Sequence, residues 1–249
     1  MELKLLKEDV HRGELILVNA EHPIHRKFSK KLTPITPRRR DILLHARAAS
    51  MLTHLMRDIE HEDEIVPVSG YRPEQEQEAI YQESVKNNGE VFTRKYVALP
   101  GRSEHQTGLA IDLGENKEEI DFLCPDFPYT GIFARFREKA SRYGFIERYQ
   151  KGKEKITGIS HEPWHFRYVG YPHAEMIRDM DMCFEEYIDH IKSYRLDGER
   201  FVFPYKSRKI EVFYVPAGED ETRVAIPDDT PYQISGNNVD GFIVTIWQK

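Results

Sequence analysis

Two imidazoles and a carboxylate stand at spacings that suit a metal ion. His105 and Asp112 lie seven residues apart in SEHQTGLAID (103–112), and His165 closes EPWH (162–165). Such a donor set is borderline in softness and suits Zn²⁺, with the fourth position left for water. Gly108 and Ala110 fall between the first two donors. Small residues there let the backbone turn and pass close to an ion without crowding its ligands. A water on such an ion still needs a base to direct its attack, and Glu162, three residues before His165, is the candidate. Pro163 restricts the backbone at Glu162. Trp164 can shield the site from bulk water, which makes it a candidate substrate contact.

The chain has 11 histidines, and a lone histidine is usually an ordinary surface or core residue. On that ground His11, His22, His25, His45, His54, His61, His161, His173 and His190 receive no role, although His161 and His173 flank the second motif. A structural zinc site would normally be closed by four protein ligands, often cysteines. The two cysteines, Cys124 and Cys183, have no CxxC spacing and lie away from both motifs, which favours an open, catalytic site.

The ligands need elements to carry them. GLAIDLG (108–114) reads as a short apolar strand, with His105 on the loop before it. FIERY (145–149) and WHFRYVG (164–170) read as neighbouring strands, and EIVPVSG (64–70) as a buried strand ending at a glycine. Helical spacing runs from Arg38 to about His61, over 73–87 with Pro73 in its first turn, over 130–143 up to Gly144, and over 173–194. ELILVN (14–19) reads as a strand, 23–37 and 98–103 as loops. After Asp197 the pattern changes to short strands, KIEVFYV, TRVAIP, YQISG and GFIVTIW, separated by turn signals. The expected division is therefore a domain over 1–197 and a small β-rich extension over 198–249. That extension is open to more than one role, dimerisation into a homodimer and cover for the active-site mouth among them.

Composition agrees with a globular protein. The 249 residues, 39% hydrophobic and 11% aromatic, can bury a substantial core. A net charge of −6 argues against general affinity for nucleic acid. The one basic cluster, Arg38-Arg39-Arg40, reads as a solvated first helical turn. MELKLLKEDVHRGE has no apolar core of a signal peptide, and LILV (15–18) is far too short to span a membrane. Together with two unrelated thiols, this leads us to expect a soluble cytoplasmic protein without a membrane anchor.

SEHQTGLAID carries the pattern SxHxxGxAxD, and with SGYR (69–72) before it and EPWH after it the chain resembles the zinc D-Ala-D-Ala peptidases. This is the family of VanX dipeptidases and VanY carboxypeptidases (peptidase family M15), and the three motifs stand in its order. The resemblance covers about residues 14–195, since GELILVNAEHPI also looks like the family's N-terminal segment. Without an anchor, the likeness is to the bifunctional VanXY type. It implies an α+β fold, a central, mostly antiparallel sheet bearing a zinc site and flanked by helices. It implies His105, Asp112 and His165 as zinc ligands, Glu162 as catalytic base and Arg72 as the arginine that stabilises the oxyanion. Ser103 and Gln77 fall where the family contacts substrate, at its C-terminal carboxylate. The implied activity is hydrolysis of D-Ala-D-Ala termini of peptidoglycan precursors, which contributes to glycopeptide resistance. Two alternatives share the zinc motifs: an L-alanyl-D-glutamate-type peptidoglycan endopeptidase, and a catalytically dead zinc-binding protein. The presence of both Glu162 and Arg72 weighs against the second.

One departure from the family bears on substrate choice. Strict dipeptidases carry an aspartate three residues before the arginine, where it can pair with the free ammonium of D-Ala-D-Ala; here that place is Ser69. A serine forgoes a charge-assisted contact worth about 1.5–3 kcal/mol. It also removes a penalty against a longer peptide that presents a neutral amide at the same spot. Carboxypeptidase turnover of a pentapeptide precursor is therefore expected to be at least as fast as turnover of the dipeptide. Side-by-side assays of D-Ala release check this, and dipeptide turnover far in excess of pentapeptide turnover refutes it.

Overall fold

The structure, a computed structural model, describes residues 1–25, 32–36, 39–60, 62–205 and 208–248. Arg38, His61 and parts of the expected 23–37 loop lie outside the described residues. In chain order the strands are β1 (Glu2–Leu6), β2 (Leu32–Pro34), β3 (Leu43–His45), β4 (Ile65–Ser69), β5 (Ala110–Glu115), β6 (Phe145–Tyr149), β7 (Glu162–Tyr168), β8 (Phe201–Tyr205), β9 (Arg208–Pro216), β10 (Glu221–Ala225), β11 (Tyr232–Gly236) and β12 (Gly241–Trp247). The α-helices are α1 (Ala46–Ile59), α2 (Glu74–Asn88), α3 (Glu90–Tyr96), α4 (Gly131–Ala140), α5 (Glu154–Thr157), α6 (His173–Asp179) and α7 (Phe184–Ile191). The class is α+β, and no helix among the described residues is long and apolar enough to cross a membrane.

The chain divides into two compact units, Val18–Cys183 and a second made of Met1–Leu17 with Phe184–Lys249. The larger unit is built on an antiparallel sheet in the order β4-β5-β7-β6. Side chains alternate between the faces of a strand, and the alternation decides what this sheet can do. Phe166 of β7 turns to one face, where it meets Phe136 of α4 edge-on at 4.9 Å and Phe127 at 5.4 Å. His165 and Arg167, on either side of Phe166, turn to the other face together with Asp112 of β5. Both faces are covered: Ile111, Leu113 and Phe166 are fully buried, and so is Arg167. The helix α1 lays Ala48, Leu52, Leu55 and Ile59 into the core at helical spacing and stops at Glu60, whose backbone is left-handed (φ 57°).

The smaller unit is a four-stranded antiparallel sheet in the order β11-β12-β9-β8, with a separate ribbon of β1 and β10. Val10, Phe213, Val224, Phe242 and Val244 form its core, with Leu3 and Leu5 of β1 packed against it. The N-terminal residues thus group with the C-terminal strands because β1 pairs with β10 from Glu2↔Ala225 to Leu6↔Glu221. Sequence gave no sign of that long-range pairing.

Three local expectations change. ELILVN is extended and buried at Leu15–Val18 but joins no strand ladder. Its backbone is held by single contacts, Leu15 N–H to Ser235 Oγ (2.9 Å) and Leu17 N–H to the Asn237 carbonyl (3.0 Å). The helix expected from Arg38 begins only at Ala46, because Leu43–His45 pairs with Leu32–Pro34 as a strand. Arg39 ion-pairs with Asp41 at 3.1 Å outside any helix. The single helix expected over 173–194 is two helices, broken after Asp179. There Asp181 adopts φ 51°, its N–H reaches the Arg178 carbonyl, and the Met182 N–H reaches the Ile177 carbonyl, each at 3.1 Å. This is a Schellman termination with aspartate in the place glycine usually takes, so the usual signal was missing.

Gly108 joins the loop of the first motif to β5 at φ 72°, and its carbonyl accepts the His45 N–H at 2.8 Å. A Cβ there would sit 2.6 Å from Leu32 Cδ2 and 3.1 Å from His45 N. Gly108→Ala is expected to lower stability by about 1–3 kcal/mol, read as a fall in the urea midpoint. An unchanged midpoint contradicts the tight fit.

Candidate active site

Sheet pairing puts the polar residues in a row. Asp112 lies directly opposite His165 of β7 on one side and Ser69 of β4 on the other, and directly opposed residues share a face. The third donor comes from a 3₁₀ turn, Glu104–Thr107. His105 donates from Nδ1 to the Gly70 carbonyl (2.7 Å), which leaves Nε2 3.0 Å from Asp112 Oδ2. His165 places Nδ1 2.8 Å from Asp112 Oδ1 and Nε2 3.4 Å from Glu104 Oε2. The two imidazoles meet edge-on, centroids 5.0 Å apart, and the ring of Tyr149 lies 5.0 Å from that of His165.

Glu162 reaches this group through an irregularity in β7. Residues three apart on a regular strand point to opposite faces. Here, however, Glu147 pairs with Phe166 and Tyr149 with Glu162, so residues 147–149 of β6 face the longer span 162–166 of β7. The bulge turns the strand locally and brings Glu162 Oε2 to 3.9 Å from His165 Nδ1. Pro163, which has no N–H to lose, sits within it. Arg137 braces the bulge from outside, donating to the carbonyls of Pro163 (2.8 Å), Phe127 (2.8 Å) and Pro128 (2.6 Å).

Arg72 follows β4, and its backbone N–H donates to the His105 carbonyl at 3.2 Å. Its side chain is 9% exposed, and its Nε has no hydrogen-bond partner. Burial pulls the guanidinium's pKa down, opposed by the charges of Asp112 and Glu162. Ser103 and Trp164 line the same pocket as Arg72, Glu162 and the histidines. Ser69 and Gln77 are buried but are not among the lining residues. Gln77 donates one N–H of Nε2 to the Ala98 carbonyl at 2.7 Å and so holds the loop there, while its Oε1 is an acceptor without a partner.

The electrostatics follow from packing these groups together. Burial would raise Asp112, but His105 and His165 hold it well below the usual carboxylate range. Burial would lower His165, yet the charge and hydrogen bond of Asp112, with Glu104 behind, push it up to about 9. Burial and the nearby Arg72 charge bring His105 down to about 4, against the pull of Asp112. Burial raises Glu162 to about 8, with His165 and Arg72 opposing.

One ring nitrogen each of His105 and His165 and a carboxylate oxygen of Asp112 lie within 4.8 Å of one another, and all three residues are buried. Two imidazoles with their remaining nitrogens already engaged, and a carboxylate between them, fit an open Zn²⁺ site. Cys124 is nearer than expected: it follows Leu123 of the pocket wall and feels the charges of Glu162 and Asp112. Burial keeps it a thiol, raised to about 11, which is poor for metal binding.

Sequence reading missed Glu104, Arg148 and Arg167. Glu104 Oε1 accepts from Arg148 Nε and Arg167 Nη1, each at 2.8 Å, with all three side chains buried. A signal was available: FIERY and WHFRYVG each carry an arginine inside an otherwise core-like strand.

Comparison with known proteins places the site in a family context. The family model described as VanY, D-alanyl-D-alanine carboxypeptidase, matches residues 41–171. The bifunctional D-Ala-D-Ala dipeptidase and D-Ala-D-Ala carboxypeptidase VanXYC of Enterococcus gallinarum is 42% identical over 71% of this chain and 94% of its own length. The crystal structure of the vancomycin resistance D,D-dipeptidase VanXYg, in complex with a D-Ala-D-Ala phosphinate analogue, superposes with a TM-score of 0.97. It is 52% identical and covers 100% of this chain and 99% of its own. A D,D-pentapeptidase VanY from a VanB-type resistance cassette, in complex with Zn(II), gives a TM-score of 0.60 at 32% identity, over 70% of this chain and 98% of its own.

A metal ligand must be deprotonated, so the proton that His165 holds up to about 9 competes with Zn²⁺. Zinc affinity is expected to rise about tenfold per pH unit between about pH 6 and 8, measured by chelator competition. A flat profile contradicts the assignment of His165 as a ligand.

Proposed function

The chain belongs to the VanY family of D-alanyl-D-alanine carboxypeptidases, and from there we propose that it is a zinc-dependent D,D-peptidase of peptidoglycan precursors ending in D-Ala-D-Ala. One observation carries the reading. A base candidate, Glu162, and a buried guanidinium with an unpartnered donor, Arg72, share one pocket with the His105–Asp112–His165 set.

Zn²⁺ held by His105, Asp112 and His165 supplies Lewis acidity, polarising a carbonyl and making water a nucleophile near neutral pH. Glu162 accepts the proton of the attacking water and returns it to the nitrogen of the leaving D-Ala. Its buried carboxyl is raised toward the operating pH, which suits a group that must both take and give a proton. Arg72 offers its free donor to the charge that develops on the penultimate D-Ala carbonyl oxygen. Trp164 and Tyr149 wall the pocket and limit bulk water. The products are D-Ala and either a second D-Ala or a shortened stem peptide.

Ser69, neighbour of Asp112 in the row, supports carboxypeptidase action beside dipeptidase action, because it brings no charge for a free ammonium. The proposed place of action is the cytoplasm, on soluble precursors. Removal of their D-Ala ends is the contribution to glycopeptide resistance proposed for this chain. The endopeptidase and the inactive zinc-binding protein are not favoured, since likeness over the full chain is to D,D-peptidases.

The test is D-Ala release by the zinc-loaded protein from D-Ala-D-Ala and from a pentapeptide precursor. Glu162→Ala is expected to lose about 10²–10⁴ in kcat and Arg72→Ala about 10²–10³, with zinc still bound. Wild-type rates in Glu162→Ala, or no release by the parent protein, overturn the proposal.

A further inference from the structure

Glu104 stands between Ser103 and His105 in the chain, is 2% exposed, and divides its two oxygens between different tasks. Oε1 takes both arginines, Arg148 of β6 and Arg167 of β7, at 2.8 Å each. Oε2 lies 3.4 Å from His165 Nε2. A carboxylate anchored through one oxygen by two fixed guanidiniums has little freedom to move the other. That other oxygen accepts only from a protonated nitrogen, so when a metal takes the place of the second ring proton it assigns the remaining His165 proton to Nε2 and leaves the Nδ1 lone pair for the ion, beside Asp112 2.8 Å away. His105 is set the opposite way round. The Gly70 carbonyl can only accept, so it takes the Nδ1 proton at 2.7 Å and leaves Nε2 toward Asp112. One backbone carbonyl and one buried carboxylate therefore turn two chemically identical rings so that different nitrogens converge on one point.

We propose that Glu104, held by Arg148 and Arg167, is a positioning residue that fixes the tautomer and ring orientation of His165 and thereby sets metal affinity. The inference rests on the metal-centre reading of His105, Asp112 and His165. A purely structural ion-pair cluster would have no need to direct an oxygen at a ligand ring, and it would satisfy both arginines equally well if His165 were turned away. Outer partners of metal-bound histidines typically contribute a factor of about 10–100 in affinity.

Two measurements test it. In the zinc-loaded wild-type protein, ¹⁵N-histidine NMR is expected to show His165 protonated at Nε2 and His105 protonated at Nδ1. His165 protonated at Nδ1 overturns the proposal, and this reading needs no variant that must fold. In Glu104→Gln, zinc affinity by chelator competition is expected to fall about 10–100-fold, with an altered visible spectrum of the cobalt(II)-substituted protein and an unchanged far-ultraviolet circular dichroism. Wild-type affinity and spectrum in Glu104→Gln overturn the proposal while leaving the metal centre in place. A wild-type protein that binds no zinc removes the metal centre itself and the proposal with it.

Discussion

The carboxylate of Asp112 is buried between two imidazoles, 3.0 Å from His105 Nε2 and 2.8 Å from His165 Nδ1. A charge placed there is tolerated only if it is compensated at close range, and much of the larger unit serves that requirement. Strand pairing delivers His165 opposite Asp112, because β5 and β7 are neighbours in antiparallel register. The 3₁₀ turn ending at Gly108 delivers His105 from the other side. The apolar alternate residues of the same strands, Ile111, Leu113 and Phe166, hold that register by burying the opposite face. A slip of one residue would turn Asp112 into the helices and Ile111 into the site.

Around this centre the fold collects more buried charge than packing alone would favour: Glu104, Arg148, Arg167, Arg72 and Glu162. Ion pairs buried in this way rarely add stability over well-packed apolar groups. Their value here lies in position. Glu104 is tied to its two arginines and to His165, whereas Arg72 keeps an unpartnered Nε and lines the pocket with Glu162. The contrast separates groups that hold the site still from groups left free to act on a substrate. It also explains why Glu162 and His165 both hold their protons above the ordinary range, Glu162 through burial and His165 through Asp112 and Glu104 against its burial.

Much of the site was legible because its chemistry is dense in sequence. His105, Asp112, Glu162 and His165 fall in two short motifs, and their residue types alone suggest a metal and a base. Glu104 lies in the same stretch as His105 and was not legible, since a glutamate beside a histidine carries no signal until its arginine partners, 44 and 63 residues away, are in place. The bulge that brings Glu162 to His165 was hinted at only by Pro163. The strands of the sheet were readable from β-branched and aromatic content. The break at Asp181 was not, because aspartate stood in for glycine, and the union of β1 with β10 was not, because pairing across most of the chain leaves no local trace. Gln77, expected as a substrate contact, also holds the loop at Ala98, a partner 21 residues away that no local pattern announces.

The account depends on a metal centre of two histidine nitrogens and carboxylate oxygen. X-ray absorption at the zinc edge, on the protein loaded with one equivalent of Zn²⁺, tests this most directly. The account predicts two imidazoles and oxygen donors at about 2.0–2.2 Å, with four to five ligands in all. A sulfur shell at about 2.3 Å, which would bring in Cys124, or a spectrum with fewer than two imidazoles, would contradict it.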